Sequence, residues 1–194
     1  MSQIKLIVGL GNPGDEYRDT RHNAGADFVS ELARLYGASL QPDTKFFGLT
    51  GRLQAGGMDI RLLIPTTFMN RSGQAVAAIS NFYKIETTDM LVAHDELDFE
   101  AGIARFKDSG GHGGHNGLRD ISKAMGDSYL RLRLGIGHPG NARDVSNYVL
   151  KRPSQADRQL LDDSIDEAIR ALPLLVGGDW AKATHQLHSN TQGA

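Results

Sequence analysis

Ile4-Lys5-Leu6-Ile7-Val8-Gly9-Leu10-Gly11-Asn12-Pro13-Gly14 is the stretch that decides how this 194-residue chain folds. The run Ile4 to Leu10 is short, β-branched and closed by glycines, which predicts a buried strand whose carboxyl end opens into a loop. In open α/β sheets, ligands collect at such ends. Directly downstream stand Tyr17, Thr20, Arg21, His22, Asn23 and Gly25. Histidine takes and returns a proton near neutral pH, and a neighbouring amide such as Asn12 or Asn23 holds a water or a carbonyl without titrating. The set suits attack of water on a carbonyl; the plainer alternative is a histidine hydrogen-bonded within a loop.

Gly9, Gly11 and Gly14 also satisfy the G-x-G-x-x-G spacing of dinucleotide-binding folds. That pattern requires a helix to open at the glycines. Here Pro13 and the polar run Asp15-Glu16-Tyr17-Arg18-Asp19-Thr20-Arg21 intervene, and helical periodicity begins only near Ala24. The acidic residue expected about 20 positions on is missing too, because Glu31 falls inside the helical pattern Phe28-Val29-Leu32-Leu35.

Outward from this segment, strand signals lie near Lys5 to Leu10, Phe46 to Leu53, Asp59 to Ile64, Met90 to Asp95, Ile103 to Phe106 and Leu130 to Ile136, with Gly56-Gly57 as a hairpin turn. Helical patterns fill Ala24 to Tyr36, Gly73 to Tyr83, Gly117 to Met125, Gln155 to Leu172 and, more briefly, Trp180 to Leu187. Pro173 should end or kink the fourth of these. With no repeat or linker in evidence, the expectation is one α/β domain over 1–194. It holds a twisted mixed, partly parallel sheet flanked by helices on both faces.

Composition is that of a globular protein, 40% hydrophobic and 23% charged. The absence of cysteine excludes thiol catalysis, thiolate metal sites and disulfides. No apolar run approaches the ~20 residues of a membrane span. Met-Ser-Gln-Ile-Lys leads into a strand, not a signal peptide, so a soluble cytoplasmic protein is expected. The net charge of −2 hides an asymmetry: Arg105 to Arg152 carries nine basic and four acidic residues, while Pro153 to Asp179 carries six acidic and two basic. One basic, phosphate-binding face would follow from this, or simply a solvated mixed surface.

Two further motifs carry chemistry. The strand Met90-Leu91-Val92-Ala93 delivers His94-Asp95-Glu96 to its end, and alternation along a strand points His94 away from Asp95. Asp108-Ser109-Gly110-Gly111-His112-Gly113-Gly114-His115-Asn116-Gly117 reads as a flexible loop entering a helix whose first N–H groups are free for an anion or carbonyl oxygen. His112 and His115 suggest a metal pair, but no cysteine or well-spaced carboxylate completes the ligand set, so no metal is expected.

Gly9 to Gly25, read with Pro65-Thr66-Thr67-Phe68-Met69-Asn70, with His94 to Asp98, with Gly111 to Gly117 and with Gly135-Ile136-Gly137-His138-Pro139-Gly140, resembles the bacterial-type peptidyl-tRNA hydrolase family over nearly the whole chain. The resemblance implies a cofactor-free enzyme, acting as a monomer on the acceptor end of tRNA and the attached peptide, that hydrolyses the ester between peptide and ribose. His22 would be the general base, and a carboxylate, Asp95, would fix its tautomer and stabilise the imidazolium. Asn12, Asn70 and Asn116 would line the pocket for the peptide end with Tyr17 beside it. Phe68 and Met69 would form its apolar wall, although without the resemblance both read as core. Lys107 and Arg133 would clamp a tRNA phosphate, assisted by Arg105 where relatives often carry lysine. The loop Gly137 to Asp144 would serve as a lid or as a plain turn. An RNA-binding module without catalysis is the competing class, and the dinucleotide binder a third.

Overall fold

Leu6, Ile7, Val8 and Gly9 form β1 (Leu6–Gly9), all of it buried, and every layer of the molecule is built on it. β1 pairs in parallel with β4 (Met58–Pro65) on one side and β5 (Met90–Glu96) on the other. β5 pairs in parallel with β7 (Leu130–Gly135), whose outer edge carries the antiparallel β6 (Ala104–Asp108). At the other flank β3 (Gly48–Ala55) joins β4 through Gly56 and Gly57, and β2 (Gln41–Asp43) closes the edge. The two turn glycines have φ of 55° and 78°, the conformation a two-residue hairpin needs. The computed structural model describes residues 3–191, and its seven-stranded sheet has the order β2-β3-β4-β1-β5-β7-β6.

Strand alternation divides the apolar residues between two cores. Ile7, Leu62, Leu91 and Leu132 face α1 (Ala24–Leu35), α5 (Gln155–Val176) and α6 (Trp180–Asn190), which bring Phe28, Leu32, Leu172 and Leu187. Leu6, Val8, Leu63 and Val92 face α2 (Ser72–Tyr83) and α3 (Asn116–Met125), which bring Val76, Ile79, Leu118 and Ile121. The fold is therefore the expected α/β arrangement, a mixed, partly parallel sheet with helices on both faces.

Two local expectations need correction, and two short elements were not foreseen. Phe46 does not begin a strand: Thr44–Phe46 is a single 3-10 turn, and the left-handed φ of 56° at Phe47 keeps β3 from starting before Gly48. Of the two outcomes expected at Pro173, an end or a kink, the end is not seen, because α5 runs on to Val176. The ring removes one N–H donor near the last turn, while Leu172, Leu175 and Val176 stay buried and the Pro173 carbonyl still accepts from Gly177 N at 2.9 Å. The short α4 (Val145–Val149) and β2 had no signal, because five and three residues are too few to show a period.

The glycines beyond β1 bring a helix, not a cofactor, close to the sheet. The main helix starts at Ala24, after single 3-10 turns at Asp15–Tyr17 and Arg21–Asn23, so none opens at the glycines as dinucleotide binding requires. A Cβ on Gly25 would fall on the Ala93 carbonyl, and one on Gly9 would fall on the Gly25 carbonyl. This close approach sets the turn carrying His22 over the carboxyl end of β5.

Candidate active site

At that end of β5, Asp95 meets His22: Nδ1 of the imidazole lies 2.9 Å from Oδ2 and 3.1 Å from Oδ1. Both residues are buried. An ionised carboxylate only accepts, so the proton sits on His22 Nδ1 and the Nε2 lone pair is left for a water. Burial alone would lower the pKa of His22, but the charge and the hydrogen bond of Asp95 outweigh it and hold it above the usual imidazole value. Asp95 is itself pushed up by burial and brought far below the ordinary carboxylate range by the imidazoles around it.

One of those imidazoles is His115. His115 Nδ1 accepts from the N–H groups of Gly117 and Leu118 at 3.1 and 3.3 Å, making it the N-cap of α3. Its proton is therefore on Nε2, which donates to Asp95 Oδ1 at 2.8 Å. Asp95 thus receives one N–H from each side of the cleft. The ligand atoms of His22, Asp95 and His115 lie within 4.8 Å of one another, close enough to suggest a metal. Coordination by His115 Nε2 would drive its proton onto Nδ1, against two peptide N–H groups, so the donor set does not fit a metal without breaking the α3 cap.

His94 shares the parity of Met90 and Val92 and sits on the α2/α3 face, with its ring 5.2 Å from that of His115. Its Nδ1 donates to the Asp95 carbonyl at 2.8 Å, and its buried Nε2 has no partner among the described residues. Burial first, then the adjoining His115 imidazole and the charge of Arg131, bring its pKa down to about 3, so it stays neutral and is no base near pH 7.

The amides are oriented by the N–H groups that donate to their oxygens. Asn12 Oδ1 accepts from Met69 N at 2.7 Å, while Asn23 braces the Asn12 main chain, accepting its N–H at 2.8 Å and donating to its carbonyl at 3.0 Å. With Oδ1 occupied, the Asn12 amide presents its NH₂ to the cleft. Asn116 Oδ1 likewise accepts from Arg119 at 3.1 Å, freeing its NH₂. Asn70 is exposed on the cleft wall, and Phe68 meets Tyr17 edge to face at 6.4 Å. Phe68 is 57% exposed, so it is a wall residue and not core, whereas Met69 is buried under the site.

These groups line one cleft of about 460 Å³. It also contains Glu96, whose carboxyl is pushed up by burial, together with Lys107 and Arg133, and α4 contributes Val145 and Val149, which the sequence did not single out. Arg105 is opposite Arg133 across β6 and β7 but outside the cleft lining; its Nη1 donates to Thr191 Oγ1 and the Ala104 carbonyl, both at 2.8 Å. The basic stretch is therefore divided by depth, with Lys107 exposed, Arg133 half-buried and Arg131 fully enclosed.

Comparison with known proteins bears on the whole of this arrangement. The peptidyl-tRNA hydrolase family model matches residues 6–193. A peptidyl-tRNA hydrolase of Shewanella sediminis is 56% identical over 97% of this chain and 98% of its own length, and one of Pseudomonas fluorescens is 59% identical over the same shares. The crystal structure of peptidyl-tRNA hydrolase from Acinetobacter baumannii superposes with a TM-score of 0.95 at 52% identity, covering 97% of this chain and 96% of that one. With the model match spanning almost every residue that builds the sheet and the cleft, this chain belongs to the peptidyl-tRNA hydrolase family.

Proposed function

We propose that the protein hydrolyses peptidyl-tRNA by base-activated water attack on the ester between the peptide carboxyl and the ribose. His22 Nε2 takes a proton from the water as its oxygen bonds to the carbonyl carbon, and Asp95 stabilises the resulting imidazolium. The Asn12 and Asn116 NH₂ groups donate to the developing oxyanion. Collapse breaks the carbon–oxygen bond to the ribose, and His22 returns its proton to the leaving ribose oxygen, giving free tRNA and a peptide carboxylic acid that releases its proton to solvent. An ester leaves readily enough for this to proceed without metal or covalent nucleophile.

Tyr17, Phe68 and Asn70 hold the peptide end, and Lys107 and Arg133 hold an RNA phosphate with Arg105 at the margin. The chain acts in this reading as one unit, alone, in the compartment where translation takes place. The observation that carries the proposal is the buried His22–Asp95 pair with its free Nε2 turned to a cleft supplied with oriented amide donors.

The test is release of the blocked amino acid from N-acetyl-aminoacyl-tRNA, beside unblocked aminoacyl-tRNA and a His22→Ala variant whose folding is checked by circular dichroism. Cleavage of the blocked substrate alone, lost in folded His22→Ala and kept in the presence of chelator, is expected. Binding of tRNA without cleavage would leave an RNA-binding module in place of the enzyme.

A further inference from the structure

Arg131, in β7, is only 2% exposed, and no carboxylate among the described residues pairs with it. Its guanidinium lies 4.5 Å from the centre of the Tyr129 ring and donates to three main-chain carbonyls: Gly111 at 2.5 Å, Asp127 at 3.4 Å and Gly110. A buried cation is costly, and here its charge is spent on turning the carbonyls of a glycine loop inward.

In a trans peptide, C=O and N–H point in opposite directions. No peptide bond among the described residues is cis. Fixing the Gly110 and Gly111 carbonyls on Arg131 therefore directs the next two N–H groups, those of Gly111 and His112, away from the guanidinium. Neither finds an acceptor among the described residues. Gly111 is exposed, and a Cβ placed on it would meet nothing within 4 Å, so the space beside Gly111 is open. Lys107 closes one side: a Cβ on Gly110 would stand 2.9 Å from its Cε and 3.0 Å from its Nζ. Gly111, His112 and Lys107 all line the cleft.

We propose that the N–H groups of Gly111 and His112, aimed by Arg131 and flanked by Lys107, form a cradle for a phosphate group of the RNA substrate. Successive main-chain N–H groups turned to one side make an anion-binding concavity, and the lysine adds a full charge. Arg131 is the positioning residue, acting through the loop without touching the ligand. The inference rests on the reading that this cleft receives tRNA, and it adds donors that a list of basic side chains omits.

The test is a titration of ¹⁵N-labelled protein, following amide resonances, with inorganic phosphate, then with a 5′-phosphorylated ribo-oligonucleotide and its 5′-hydroxyl counterpart. The Gly111 and His112 amides should shift together and saturably with phosphate. A larger response to the 5′-phosphorylated strand assigns the cradle to a terminal phosphate, and equal responses assign it to a phosphodiester; either supports it. Arg131→Lys, which keeps the charge but loses the fork, should weaken phosphate about tenfold with the fold retained by circular dichroism. In wild-type protein alone, still Gly111 and His112 amides beside moving resonances at Lys107 or Arg133 would overturn the cradle. Hydrolysis of N-acetyl-aminoacyl-tRNA is measured on the same sample. Activity with silent amides refutes the cradle only, and shifting amides without activity refute the hydrolytic reading only.

Discussion

His115 Nε2 donates to Oδ1 of Asp95 at 2.8 Å, so a single carboxylate serves two imidazoles, His22 above and His115 beside it. The two donors do different work. His115 Nδ1 is occupied as the acceptor of the α3 cap, while His22 keeps a free Nε2. His115→Ala relieves Asp95 of one donor, which strengthens its hold on a charged His22. The acid limb of kcat/KM should move to higher pH and kcat should fall about tenfold, with about 1 kcal/mol of stability lost with the cap. A pH–rate profile beside a urea melt checks this; an unmoved limb would reduce His115 to a cap.

Asp95→Asn removes the groups that raise the pKa of His22 and leaves burial, which lowers it. The base must be neutral to act, so activity appears as pH rises through its pKa. In the variant that limb should lie at lower pH than in wild type, with kcat down by about 10² to 10⁴. Single-turnover hydrolysis from pH 5 to 8 decides it.

Stability should carry the signature of His94. The folded protein keeps it neutral down to about pH 3, whereas an unfolded chain protonates it near 6.5. Its contribution is complete above about pH 6.5 and is lost as pH falls, at about 1.4 kcal/mol per pH unit. Between pH 7 and pH 5, urea unfolding of His94→Gln should therefore lose about 2 kcal/mol less than wild type. Parallel curves for the two proteins would rule the assignment out.

Asn12→Asp leaves an oxygen to accept from Met69 N but replaces the cleft-facing donor with an acceptor. The fold should persist, and kcat/KM should drop about 100-fold or more, as when one oxyanion donor is removed. Asn12→Ala should be less damaging than Asn12→Asp, because it removes the donor without adding repulsion; the reverse order would show that Asn12 does not face the oxyanion.

Lys107→Met and Arg133→Met should each raise KM and reduce the dependence of log KM on log salt by about one phosphate contact. Arg105→Met should change that slope less and lower the melting temperature more, because Arg105 is engaged with Thr191 and the Ala104 carbonyl. Equal slopes for all three variants would bring Arg105 into the phosphate site.

Much of the site was legible along the chain. Ile4 to Gly14 announced a central strand with an open carboxyl end, and Met90 to Asp95 a second one. The chemistry of a general base and the resemblance named Asp95 as the partner of His22, and the structure brings the two together at the ends of neighbouring parallel strands. His115 was not legible as the second partner of Asp95. Its role depends on which nitrogen caps α3, and nothing local distinguishes it from His112, whose Nδ1 accepts from Gly114 N instead. Arg131 and Arg133 also look alike in Leu130-Arg131-Leu132-Arg133 and both border the cleft, yet one is buried beneath the glycine loop and the other is half-buried.

The sequence by itself determined the layered α/β fold, the strand ends at which the site lies and the residue types available there, because these follow from periodicity, glycine placement and chain direction. Only the tertiary structure decided which nitrogen holds which proton, which amide presents NH₂ to the cleft, and which arginine turns a glycine loop. The decisive ones depend on hydrogen-bond partners far along the chain, 57 positions for Met69 with Asn12 and 73 for Asp95 with His22. Hydrogen bonds act over about 3 Å, so only packing that closes those sequence distances to that length makes the assignments.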